Sequence, residues 1–230
     1  VSDYDLATIF NELTHNFLLL TSDLQDLPVR QRSIYNTIDY TWRMLPETLA
    51  TLMARCSVFR GTFNQQAAAA ITDSVPRTIT HLYQRSLIHS DEHRHLYIHE
   101  MVRQFAAKKL AQEPTIEQET YQKHSEYYIR LLSAWWENSE SKHIVAQLFP
   151  HLDNIYVAWE WAFNHQLFQL LSRAIIPFTQ FHLYAALIWN VHLQVVVYRQ
   201  RLEELAATNP AIVEMASYHE LKTALTYAIG

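Results

Sequence analysis

Four histidines, His89, His93, His95 and His99, fall within eleven residues of this 230-residue chain. Imidazole is a common metal ligand and the side chain whose charge changes near neutral pH. A metal site would need convergent ligands, and no cysteine lies near. The alternating side chains of a hairpin would send these histidines to opposite faces. Solvated histidines on a wing are therefore the expectation, with no metal. His99 differs from the others because it stands where the sequence period changes. A histidine at a helix N-terminus, beside backbone N–H donors, is suited to contact with an anion. Cys56 is the only cysteine, and it lies on the apolar side of a helix with no histidine close in sequence, so a packing role is expected. The chain has no G-x-x-x-x-G-K-[ST] phosphate loop and only two glycines, Gly61 and Gly230.

The elements that must place His99 are legible around it. Leu87 and Ile88 lead to a polar tip at Ser90, Asp91 and Glu92, and a second extended run covers His95 to Ile98. Short Ser and Asp side chains bond nearby backbone and favour a turn. After His99, Val102, Phe105, Ala106 and Leu110 recur at helical spacing, with Lys108 and Lys109 near the C-terminal end of the dipole. Upstream, the spacing predicts helices over 4–21 and from Arg30 to Leu45. Another begins at Pro46, with Leu49, Leu52, Met53 and Cys56 inward. Residues 57–63 read as a turn with Gly61 free to take a positive φ. Short helices follow from Asn64 to Ile71 and from Pro76 to Ser86. A helix, a hairpin and a returning helix make the back half of a winged helix-turn-helix. Thr115 and Gln118 have capping-box spacing, opening a long helix. From His151 onward the pattern is paired helices, roughly 151–165, 167–184, 186–207 and 211–228, recurring at about the tetratricopeptide (TPR) period of ~34 residues.

The fold class expected is mainly α: a winged helix-turn-helix with one β-hairpin, followed by TPR-like antiparallel helical pairs. The expected domains are 1–27, the end of an upstream small helical domain; 28–112, the winged helix; 113–150, linker helices; and 151–230, TPR-like repeats. The chain is 49% apolar, enough for a substantial core. One cysteine allows no internal disulfide, which suits a reducing, cytoplasmic setting. Leu183 to Tyr198 is very apolar, but Asn190, His192 and Gln194 interrupt it, so it reads as a covered helix and not a membrane span. The net charge of −5 is uneven: residues 30–112 carry eleven Lys/Arg against six acids, between two acidic flanks. A basic middle suits nucleic acid, phosphate or an acidic neighbouring domain.

The segments DLPVRQRSIYNTIDYTWRMLPE (26–47), LMARCSVFRGTF (52–63), LYQRSLI (82–88), YIHEMVRQFAAKKL (97–110) and HLDNIYVAWEWAF (151–163) together resemble the regulatory half of STAND (NB-ARC-like) signal-transduction ATPases. The closest likeness is to large bacterial members that act as transcriptional regulators. The resemblance implies a piece of a longer protein. It would bind ADP or ATP with Mg in a nucleotide-binding domain outside this piece. The family's winged helix carries a Met-His-Asp motif whose histidine contacts the β-phosphate of ADP in the resting state. Ile98, His99 and Glu100 hold those positions here, so the resemblance makes His99 the phosphate sensor.

The function expected on that basis is regulatory: the winged helix docks on the nucleotide-binding domain, and the array senses a protein or small-molecule signal. No enzyme activity, cofactor or membrane contact is expected of the segment itself. The alternative is a DNA-binding winged-helix transcription regulator with a helical effector domain. Its recognition helix would be Pro76 to Ser86, whose only Lys/Arg residues are Arg77 and Arg85, with Asp91 and Glu92 on the wing. That supply of cations is thin for phosphate contacts, so DNA is the lesser expectation. Trp135, Trp136, Trp159 and Trp161 are expected in the core.

Overall fold

The structure, a computed structural model, describes residues 29–138, 148–184 and 188–229. The helix expected over 4–21, the upstream domain expected over 1–27 and part of the linker expected over 113–150 lie outside them. The chain divides into two compact units, Val1–Glu47 and Thr48–Gly230. In the first, α1 (Val29–Arg43) carries an Asp39–Arg43 ion pair one turn apart at 2.6 Å.

The second unit takes in all but the first residue of α2 (Glu47–Cys56), then β1 (Thr62–Phe63), α3 (Gln65–Thr72), α4 (Pro76–Gln84), β2 (His89–Ser90), β3 (Leu96–Tyr97) and α5 (Glu100–Leu110). It continues with α6 (Pro114–Asn138), a 3-10 turn (Phe149–His151), α7 (Leu152–Asn164), α8 (Phe168–Tyr184), α9 (Ile188–Thr208), a second 3-10 turn (Pro210–Glu214) and α10 (Ala216–Ile229). The fold is mainly α with one small antiparallel sheet, ordered β1-β3-β2.

Two details differ from the expectation. Residues 62–63, read as part of a turn, form a third strand, with Thr62 opposite Tyr97 and Phe63 opposite Leu96. The hairpin pairs His89 and Ser90 with Tyr97 and Leu96, whereas Leu87 and Ile88 are buried in the core ahead of the strand. A two-residue strand has no alternation to read; its partner creates it.

The winged-helix core is Leu52, Met53, Cys56, Phe59, Phe63, Ala67, Ile71, Ile79, Leu82, Ile88 and Phe105. Phe59 and Phe63 stack at 4.0 Å. Helix α6 packs on α3 and α5 on one side and on α7 and α8 on the other, so it belongs to both parts. In the array, α8 packs on α10 and α9 packs on α10. Of the four tryptophans expected in the core, Trp135 and Trp159 are buried, Trp161 is half-buried and stacks on His165 at 3.8 Å, and Trp136 is exposed. Burial pushes the Cys56 thiol up to about 12, which fits a packing role. Among the described residues no helix is long and apolar enough to cross a membrane.

Candidate functional site

The helix-turn-helix is set by local chemistry. Asn64 caps α3 by accepting the Ala67 N–H at 2.7 Å. At the other end Asp73 takes a left-handed conformation, φ 55°, and the Ser74 N–H donates to the Ala69 carbonyl. Val75 is extended and Pro76 opens α4 at its first turn. The small residues Ala67 and Ala68 on α3 let α4 approach closely and bury Ile79 and Leu82. The opposite face of α4 is open. Arg77, Thr80, His81 and Gln84 lie along it at helical spacing, with Tyr83 and Arg85 beside them, all exposed.

The wing is held by Asp91. Its Oδ1 accepts the N–H groups of His93 (2.9 Å) and His95 (2.7 Å), and its Oδ2 meets the His95 ring at 3.2 Å. What burial there is pushes this carboxylate up, but the bonds from His95 and His93 outweigh it and leave the group below the usual range. Arg94 takes the left-handed position of the turn, φ 65°. His89 stacks on Tyr97, and the His95 ring stands edge-on to His151 at 6.4 Å. Among the described residues no group of three or more His, Cys, Asp or Glu could hold a metal ion.

His99 stands at the N-cap of α5, exposed, and its Nδ1 accepts the Met101 N–H at 3.4 Å. With Nδ1 accepting, the neutral ring carries its proton on Nε2. Glu100 is tied to Arg103 through two bonds of 2.5 and 2.7 Å, and Gln104 donates to it at 2.7 Å. Desolvation pushes the Glu100 carboxyl up, but Arg103 and Gln104 pull it lower still, so it stays ionised. Arg103 is itself buried and reaches the Ser57 carbonyl at 3.5 Å. A small cavity of about 270 Å³ opens beside Ile98, Glu100 and Arg103.

Two features escaped the sequence reading. Arg55, Asp73, Glu119 and Lys123 form a surface ion cluster that ties the α3–α4 turn to α6. Asn154, fully buried on α7, bonds to three partners from the winged helix and α6. A signal for it exists: an amide in line with Ile155, Ala158, Trp159 and Ala162 on an otherwise apolar stripe.

No protein-family model matches the chain, and no solved structure matches it. Proteins of Mycobacterium tuberculosis and Mycobacterium bovis that are named as HTH-type transcriptional regulators do match. Each is 27% identical over 158 residues, covering 64% of this chain. The chain spans only 18% of the length of these relatives.

Proposed function

We propose that this chain is the winged-helix and helical-array segment of a larger transcriptional regulator. The carrying observation is the 158-residue similarity to HTH-type regulators. The helix-turn-helix with a wing and an uncovered α4 agrees with it. In the reading that this similarity supports best, α4 meets DNA. Arg, Thr, His and Gln are side chains that hydrogen-bond base edges, and here they share the open face at Arg77, Thr80, His81 and Gln84. Phosphate contacts would come from the exposed Arg77, Arg85 and Arg94.

Three phosphate contacts are few. The isolated segment is expected to bind duplex DNA weakly, and raising salt from about 50 to 200 mM should cut the affinity roughly fortyfold, from a slope near −2.7. Fluorescence anisotropy with promoter and scrambled duplexes measures this. Arg77→Ala should lower the affinity and flatten the slope by about one. No binding at low salt, or no change in Arg77→Ala, would remove DNA from the function of this winged helix.

A second reading rests on Val75 and Tyr83, which are 64% and 49% exposed at the start and on the open side of α4. Apolar surface there suits a protein covering. On this reading the winged helix docks on a nucleotide-binding domain of the same polypeptide, and the array couples a signal to its release. The segment, without a phosphate loop, would not hold ATP or ADP with Mg itself, and ADP bound next door would present anionic phosphate to His99. The residues fit: the exposed His99 has Nε2–H to donate, and the charge of Glu100 is offset by Arg103. In the full-length protein His99→Ala should then release ADP roughly ten- to hundredfold faster. His95→Ala, on the wing, should change little. Stopped-flow release of a labelled ADP decides it, and equal rates for wild type and His99→Ala would reduce His99 to a helix cap.

A further inference from the structure

The winged helix meets the array at the turn that precedes β1, and four hydrogen-bond contacts there converge on one side chain. The Asn154 Nδ2 donates to the Arg60 carbonyl at 2.7 Å and to the Thr62 carbonyl at 2.9 Å. Its Oδ1 accepts the Arg60 N–H at 2.8 Å and stands 3.2 Å from the His124 Nε2 of α6. One amide on α7 thereby makes four contacts to two other elements, and its hydrogen-bonding capacity is used in full. Gly61 makes the approach feasible. Its φ of +62° is a conformation that glycine adopts freely, and a Cβ there would lie 2.9 Å from Asp153 Oδ2, the neighbour of Asn154. The Thr62 hydroxyl adds a bond to the Pro150 carbonyl at 2.9 Å. A further tie between the two parts, the Arg55–Asp73–Glu119–Lys123 cluster, lies at the surface, where salt screens it.

We infer that Asn154 is the positioning residue that fixes the orientation of the winged helix on the helical array, so that movement in the array is passed to β1 and the wing through the Arg60–Thr62 turn. Directed hydrogen bonds set an angle as well as a distance. The turn leads directly into β1, β1 pairs with β3, and β3 carries the wing. A shift of α7 therefore reaches the wing through the Asn154 side-chain bonds to the turn and then through the backbone pairing of β1 with β3.

The test uses this chain with Gln84→Cys on α4 and Glu204→Cys on α9, both exposed positions, carrying spin labels. Cys56 is fully buried and stays out of the labelling. Pulsed dipolar spectroscopy should give one narrow distance distribution. Asn154→Asp keeps the shape but loses both donors to the carbonyls, and the distribution should broaden or split while the helical circular dichroism holds. Amide protection at Thr62 and Phe63 should fall about five- to tenfold, with that of α8 and α10 unchanged. Gly61→Ala pushes the same turn away from Asp153 and should broaden the distribution in the same way. An unchanged distribution in both folded variants overturns the inference. So does protection lost evenly across α2–α10, which would make Asn154 an ordinary core residue. If Asn154→Asp does not fold, Gly61→Ala alone decides.

Discussion

Trp159→Ala is expected to destabilise the Thr48–Gly230 unit by about 3–5 kcal/mol, the range for removing a large aromatic from a packed core. Trp159 is 1% exposed and stacks on Phe178 at 4.3 Å between α7 and α8. Tyr198 of α9 lies 6.3 Å away on a further side. The void would thus open where three array helices meet, and helices held by their own ladders cannot close in to fill it. Among the described residues the indole Nε1 has no hydrogen-bond partner, so the loss is one of packing. Trp159→Phe should therefore cost clearly less, because it keeps a ring on Phe178 and breaks no hydrogen bond. Urea unfolding of the three proteins is the measurement. A cost for Trp159→Ala below about 1 kcal/mol would mean that the α7–α8 contact is loose and the array is not a single packed body.

The sequence shows the winged helix where local chemistry decides structure. The Ser90–Glu92 tip and the change of period at His99 correspond to a hairpin and a helix start, with His99 at the N-cap. Pro76 opens α4, whereas α6 begins at Pro114, one residue ahead of the Thr115 expected to cap it. What could not be read depends on partners far along the chain. Thr62 and Phe63 are a strand only because Leu96 and Tyr97 lie beside them. Asn154 looks like a stray polar residue until the Arg60–Thr62 turn, more than ninety residues earlier, is brought against it. The candidate surface was half legible. Arg77 and Arg85 are legible as cations, and the helical spacing of Ile79 and Leu82 marks the inward side, but that the opposite face of Arg77, Thr80, His81 and Gln84 stays open depends on what packs around it. The exposure of Val75 and Tyr83 could not be read at all, since their types suggest burial. The same holds for the histidines, which differ in environment far more than in sequence: His93 lies open on the wing, while His124 is sealed in the core.

That contrast has a consequence for acid stability. His124 is fully buried between Phe59 and Tyr128, with a bond to Asn154, and desolvation pushes its imidazole down to about 4. Burial also lowers His151 and His182, the first with help from the nearby His95. The folded state thus holds these rings neutral, while the unfolded chain takes up protons near pH 6.5. Stability from this source is complete above about pH 6.5 and is lost as the pH falls toward 4. Between pH 7 and 4.5, His124 alone should remove about 2–3 kcal/mol, an order-of-magnitude figure from its shift. Carboxylates held low by cations, such as Glu100 and Glu160, add their loss mainly at more acid pH, so the two windows separate. The check is the urea midpoint at pH 7 and at pH 4.5 for wild type and His124→Gln. Glutamine can still donate to Asn154 Oδ1 but has nothing to titrate. The variant should start less stable at pH 7, because its shape fits the ring's pocket less well, and should then lose less on acidification. Equal losses in the two proteins would show that water reaches His124 and that the junction around Asn154 opens in solution.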